Sequence, residues 1–234
     1  MRKKIGIIGG LSPESTASYY LHITRSYVAR FGTDSYPEII IYSVDLDRYH
    51  RWRELGRWDL ITEDMIAIAD TLLLAGADIG LIATNTMHKV FDRVQAGTTL
   101  PLLHILDATV NAIRLAGLHK VGVLGTRFTM AEAFYTDHLA ARGIAPLVPG
   151  PEDQAIVHDI IVNELVRGKF SEASRQRYLA IIERLERLGA EGIVLACTEI
   201  PLLIQQEQCS LPLFDTATLH AEAALNAALT PACD

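Results

Sequence analysis

The chain is poor in cysteine. Its three, Cys197, Cys209 and Cys233, are an odd number without regular spacing, so no disulfide framework is implied. A reducing cytoplasm is the expected compartment. No apolar stretch approaches the roughly 18 residues of a membrane helix, and no membrane partner is expected. The opening Met1-Arg2-Lys3-Lys4 faintly resembles a secretion signal. The apolar run after it breaks at Gly9-Gly10 and is polar by Ser12, too short for the core of one. Basic residues are in the minority, 21 against 28 acidic, giving a net charge of −7. That excludes a general nucleic-acid binder, which carries a basic face. A small anionic ligand is not excluded, because local charge governs it. There is no G-x-G-x-x-G and no P-loop lysine, so a nucleotide cofactor lacks support. H-E-x-x-H and paired-cysteine spacings are missing and the eight histidines are scattered, so no metal is expected. Ser12 lacks the second glycine of a G-x-S-x-G elbow. Linkers rich in Pro, Gly or Ser and low-complexity tracts are missing as well.

What the chain does have is a copy of itself. Gly76-Ala77-Asp78-Ile79-Gly80-Leu81-Ile82-Ala83-Thr84-Asn85-Thr86 lies over Gly189-Ala190-Glu191-Gly192-Ile193-Val194-Leu195-Ala196-Cys197-Thr198-Glu199. Thr84 then falls on Cys197. Lys4-Ile5-Gly6-Ile7-Ile8-Gly9-Gly10 similarly matches Lys120-Val121-Gly122-Val123-Leu124-Gly125-Thr126, and Leu100-Pro101-Leu102-Leu103 matches Leu211-Pro212-Leu213-Phe214. A duplicated chain with paired strand ends suggests a pseudo-two-fold site, one group on each side of a ligand.

Short β-branched runs alternate with longer helical patterns. Strands are predicted at 4–9, 38–44, 78–84, 101–105, 120–125, 144–148, 192–197 and 212–214. Helices are predicted at 13–31, 57–76, 106–117, 130–142, 152–168, 172–189 and 217–229, with Pro13 as a start signal and Gly76, Gly143 and Gly189 as stops. The fold expected is α/β: two similar lobes, each a flavodoxin/Rossmann-like parallel sheet flanked by helices. The division expected is 1–104 plus 216–234 for an N-terminal lobe and 105–215 for a C-terminal lobe, the last helix crossing back to the first half. Ligands in such sheets bind beyond the carboxyl ends of the strands. Thr84 and Cys197 both stand at such ends, each just before an expected helix.

Cys197 leads the candidates for chemistry. A helix start after a buried strand would favour its thiolate, and a modest fall from about 8.5 would make it a usable base. Glu199 is placed to orient the thiol or hold its proton. The alternative is a small buried apolar residue. The Thr84 hydroxyl is too weak an acid to act alone as a carbon base; it can hold a water, donate to a carboxylate, or merely end a strand. Asn85 and Thr86 add donors in the same loop, with plain helix capping as their alternative. Gly10, Leu11 and Ser12 lie between a strand and a helix, where backbone N–H groups can meet an anion, and Thr126 is their counterpart in the second copy. Arg48 and Arg51 belong to the one dense basic cluster, with His50, Arg53 and Arg57 among Tyr49, Trp52 and Trp58. They can clamp a carboxylate or line a solvated helix face. Arg167 and Lys169, near a helix end, are a second basic candidate. Asp45-x-Asp47 reads as a strand-end turn rather than a metal pair.

The segment Ile193-Val194-Leu195-Ala196-Cys197-Thr198-Glu199-Ile200-Pro201 resembles the second cysteine motif of the cofactor-independent aspartate/glutamate racemases. Gly6-Ile7-Ile8-Gly9-Gly10-Leu11-Ser12, Asn85-Thr86-Met87-His88 and Asp215-Thr216 resemble the same family, over essentially the whole chain. The resemblance implies two α/β lobes with the active site between them, a homodimer, and a cysteine on each face of the substrate's Cα. It implies neither pyridoxal phosphate nor metal. It also exposes a departure: the family's first cysteine precedes the asparagine, and here that position is Thr84.

The function so implied is racemisation of L-aspartate or L-glutamate. Cys197 would serve the L enantiomer and Thr84, through a water, the other face. Asn85, Thr86 and Thr198 would steady the charge developing on the α-carboxylate. Two other readings stand beside it: a non-catalytic binder of acidic amino acids, and a related isomerase of other small carboxylates such as maleate or hydantoins.

Overall fold

The structure, a computed structural model, describes residues 2–32 and 35–230. Cys233 lies outside the described residues. The chain divides into two compact units, Met1–Ile105 with His220–Asp234, and Leu106–Leu219.

In the first unit, the β-branched runs form β1 (Ile5–Gly9), β2 (Ile39–Ser43), β3 (Ile79–Ile82) and β4 (Leu102–Leu103), all parallel, in the order β2-β1-β3-β4. Every residue of β1 and β3 is buried, as expected of central strands covered on both faces. Helix α1 (Pro13–Phe31) starts where Ser12 accepts a hydrogen bond from the Ser15 N–H and ends at Gly32 in the left-handed region. Helices α2 (Leu46–Glu54), α3 (Trp58–Leu74) and α4 (Phe91–Gly97) complete the layer. Ile8, Tyr49, Ile61, Met65, Leu72, Ile82 and Val94 form its core, each aliphatic side chain there contributing about 1.5–3 kcal/mol by burial.

The second unit repeats this wiring. Helix α5 (Ile105–Leu115) leads into β5 (Lys120–Gly125), and α6 (Arg127–Ala131), α7 (Ala133–Ala140), β6 (Ala145–Leu147), α8 (Pro151–Asn163), α9 (Glu172–Arg187), β7 (Gly192–Ala196) and β8 (Leu213–Asp215) follow. The sheet is parallel with the order β6-β5-β7-β8. Its core gathers Leu124, Val157, Tyr178, Ile182, Leu185, Ile193 and Leu195. Helix α10 (Thr216–Leu229) closes the chain. From His220 on it packs on α1, where His22 and Arg30 both pair with Glu222.

Four local expectations change. The helix expected at 152–168 ends at Asn163, and a short 3₁₀ turn, Leu165–Arg167, follows Glu164. The helix expected at 130–142 breaks at Glu132, whose extended backbone (ψ 138) separates α6 from α7. Asp45 accepts from the Asp47 N–H and caps α2, so the Asp45-x-Asp47 spacing starts a helix rather than a simple turn. Thr84 and Cys197 are not followed directly by α-helices. Short 3₁₀ turns, Thr86–Val90 and Ile200–Leu202, come next instead.

Candidate active-site residues at two strand ends

In the first unit, β1 and β3 run side by side with Ile8 level with Ile82, which brings Gly10 beside Thr84. Gly10 adopts φ +79, and a Cβ there would sit 2.4 Å from the Val44 nitrogen and 2.5 Å from its carbonyl oxygen. Only glycine fits. Gly9 lies under α1, where a Cβ would meet the Thr16 methyl at 2.5 Å. Thr16 in turn accepts from the Gly10 N–H at 2.9 Å and donates to the Ser12 carbonyl at 2.9 Å. Ser15 donates to the Ala83 carbonyl at 3.1 Å, tying the start of α1 to the end of β3. Gly10, Leu11, Ser12, Thr84, Asn85 and Thr86 are thereby gathered at the carboxyl end of the two central strands. Asn85 and Thr86 are buried and Thr84 is half-buried.

In the second unit, Gly125 pairs with Ala196, so Thr126 stands beside Cys197. Gly125 repeats the role of Gly9: a Cβ there would meet the Thr129 hydroxyl oxygen at 2.3 Å. The Thr126 hydroxyl oxygen is buried and has no hydrogen-bond partner among the described residues. Cys197 is 9% exposed and donates through Sγ to Glu199 Oε2 at 3.0 Å. The Thr198 hydroxyl donates to the same oxygen at 2.8 Å.

This environment reverses the expectation of a lowered thiol pKa. Burial pushes the Cys197 thiol well up, and the Glu199 carboxylate pushes it further by charge and as acceptor of the thiol proton. The backbone N–H groups of Glu199 and Thr198 favour the thiolate but are outweighed. The helix start that was to lower the pKa is a three-residue 3₁₀ turn, too short to carry a sizeable macrodipole.

The basic candidates divide. Arg48 Nη2 bonds Asp64 Oδ2 at 2.8 Å, Tyr49 donates to that same oxygen at 2.8 Å, and the Arg48 guanidinium lies 5.0 Å from the Trp52 ring centroid. Its Nε is buried with no partner among the described residues. Helix α2 directly follows β2, so Arg48 stands on the carboxyl-end side of the first sheet. Arg51 pairs with Asp47 at 3.0 Å on the exposed side of α2, as the helix-face reading holds. Arg167 and Lys169 are exposed. Helices α8 and α9 are antiparallel, with Arg184 on Asp153 at one end and Glu164 on Ser171 and Ser174 at the other. Since α9 descends to the start of β7, the end carrying Arg167 and Lys169 lies on the side of Cys197.

Sequence reasoning overlooked four buried rings. His88 bonds the Thr84 carbonyl through Nδ1 at 2.8 Å. His220 bonds the Leu103 carbonyl through Nε2 at 2.9 Å and the Tyr19 hydroxyl through Nδ1 at 3.0 Å. Tyr135 and Tyr178 have phenols pushed up first by burial and next by the nearby Cys197. Nothing in their sequence neighbourhood marks the tyrosines. His88 stood inside the Asn85-Thr86-Met87-His88 segment and was available as a signal.

Residues 8–224 match the sequence model of the Asp/Glu/Hydantoin racemase family. A candidate Asp/Glu racemase from Yersinia pestis superposes with a TM-score of 0.93 at 42% identity, covering 97% of this chain and 100% of that one. An aspartate racemase homologue from Pyrococcus horikoshii OT3 gives a TM-score of 0.87 at 36% identity, covering 97% and 99%. The broad specificity amino-acid racemase RacX of Bacillus subtilis (strain 168) is 26% identical over 228 residues, 95% of this chain and 96% of that protein.

Proposed function

The chain belongs to the Asp/Glu/Hydantoin racemase family, and from that premise we propose that it inverts the α-carbon of an acidic amino acid, L-aspartate or L-glutamate. The observation that carries the reading is the buried Cys197 thiol hydrogen-bonded to Glu199 at the end of β7. Glu199 is the acceptor within reach of the thiol proton. Transfer leaves a thiolate, held by the N–H groups of Thr198 and Glu199, and a neutral carboxyl. The thiolate takes the α-proton of the L enantiomer and becomes a thiol again. The electron pair left on Cα spreads into the α-carboxylate, where donors from Asn85, Thr86 and Thr126 lower its energy. A water on the Thr84 side protonates the opposite face, and its hydroxide regains a proton from Glu199 through solvent. Arg48, on the carboxyl-end side of the first sheet with a buried Nε that has no partner among the described residues, is assigned to the distal carboxylate.

Enantiomers have equal free energy, so the chain works in both directions, with unequal kinetic constants where thiol and hydroxyl differ. The test follows L-glutamate and L-aspartate in heavy water, reading deuterium at Cα and the D enantiomer together. Both should appear with the wild type. Cys197→Ala should lower both rates by about 10²–10⁴, the usual worth of a positioned acid–base group. Substantial turnover in that variant would remove Cys197 from the mechanism. A second reading, a non-catalytic binder of acidic amino acids, draws on Thr84 in place of a thiol. It is favoured if glutamate raises the melting temperature while neither deuterium nor D enantiomer appears.

A further inference from the structure

Both ring nitrogens of His88 are committed within the first unit. Nδ1 lies 2.8 Å from the Thr84 carbonyl oxygen, and Nε2 lies 3.1 Å from the Ile105 backbone nitrogen. A carbonyl only accepts and an amide N–H only donates. The proton therefore sits on Nδ1 and the lone pair on Nε2, a single neutral tautomer. The ring is buried, stacked on Phe91 at 5.4 Å between centroids and packed against His104 and His220. Its Nε2 supplies an acceptor to one of the amide donors that the start of α5 leaves without an intrahelical partner.

The other bond concerns the candidate site. Thr84 leaves β3 in a tight turn, its N–H donating to the Ile82 carbonyl at 2.8 Å, and no α-helix follows to hold it. The Thr84 carbonyl belongs to the peptide that also carries the Asn85 N–H. In a planar trans peptide the two point opposite ways. Pinning the carbonyl on His88 therefore sets the heading of the Asn85 N–H and limits the backbone rotation that aims the Thr84 hydroxyl. In the second copy the matching position is Pro201, which has no side-chain donor. There, Cys197 is held by Glu199 instead.

We propose that His88 is a positioning residue for the Thr84 half of the reaction, holding the strand-end peptide so that the opposite face of Cα can be protonated. This rests on the racemase reading above. Three variants separate its two bonds: H88F keeps ring volume and loses both, H88Q keeps an acceptor near Nε2, and H88N keeps a donor near Nδ1. In heavy water, H88F and H88Q should lose inversion by roughly 10- to 100-fold, the cost of a misplaced group. Deuterium entry with retained L configuration, which depends on Cys197, should persist within about threefold by the same separation of roles. H88N should recover most of the inversion.

Inversion at the wild-type rate in H88F overturns the proposal. So does an equal fall of exchange and inversion, or H88N no better than H88Q. Should H88F fail to fold, H88N against H88Q decides alone. A wild type that inverts neither substrate overturns the racemase reading itself, and this proposal with it, before any variant is made.

Discussion

Cys197 donates its thiol hydrogen bond to a carboxylate that opposes its ionisation: Glu199 Oε2 lies 3.0 Å from Sγ and raises the thiol's pKa both by its charge and by accepting that bond. A group so placed rests as a thiol at neutral pH. Its partner holds the proton's exit.

Glu199→Gln should bring the Cys197 thiol down, because the amide removes the negative charge while burial remains. Iodoacetamide labelling of the Cys197 peptide, followed by mass spectrometry across pH, should show its midpoint moving to lower pH in the variant. An unchanged or higher midpoint would mean that Glu199 does not control the thiol.

The same shift makes the fold sensitive to alkali. The folded thiol keeps its proton above the unfolded value of about 8.5, so its contribution is complete below that pH and is lost as pH rises beyond it. Tyr135 and Tyr178, also pushed up, add to the loss above about 10. Urea unfolding from pH 7 to 10 should show falling stability, and Cys197→Ser should flatten the limb that starts near 8.5.

The opposite sign holds for His220. Burial lowers it to about 4, below an unfolded value of about 6.5. Its contribution is present above 6.5 and lost as pH falls toward 4, by at most about 3 kcal/mol. Replacement by Gln, which can still donate to the Leu103 carbonyl, should remove most of this acid slope in the first unit. A slope equal to wild type would assign the loss to other groups.

Gly10→Ala should destabilise by more than about 2 kcal/mol, since it joins a left-handed backbone to contact with the Val44 main chain. Gly32→Ala is the control. Its φ is +60 with nothing within 4 Å of the added carbon, so only the backbone cost of about 1 kcal/mol applies. Equal urea midpoints for the two variants would refute the steric argument.

Much of this architecture is legible in the chain because buried parallel strands are continuous apolar runs. Ile193-Val194-Leu195-Ala196 can be little else once helical patterns flank it. The duplication then predicts one sheet from the other, and both take the same strand order. Helix α2 is harder to see, because Leu46–Glu54 is mostly polar and charged and its one buried residue is Tyr49. The 3₁₀ turn after Thr84 is likewise held by His88 reaching Ile105, a contact between positions distant in sequence. The sign of the Cys197 shift was illegible for the same reason. Strand and helix starts can be inferred locally, whereas desolvation by Tyr135, Tyr178 and the core depends on the completed fold. The Thr84 and Cys197 loops are legible because the duplication lays one strand end over the other and both carry polar residues directly after an apolar run.

Gly9 under Thr16 and Gly125 under Thr129 make one lock, built twice. Neither glycine can gain a side chain while its threonine keeps its own. Each pair is therefore two loci that travel as one. A lineage drifting from this sequence finds single steps at Gly9 closed until Thr16 has first become smaller, whereas Gly125 is closed twice over, since a Cβ there would also lie 2.8 Å from the Ala196 carbonyl oxygen. Since each half carries its own lock, the halves are free to diverge in chemistry, thiol in one and hydroxyl in the other, while the hinge of strand into helix stays common to both.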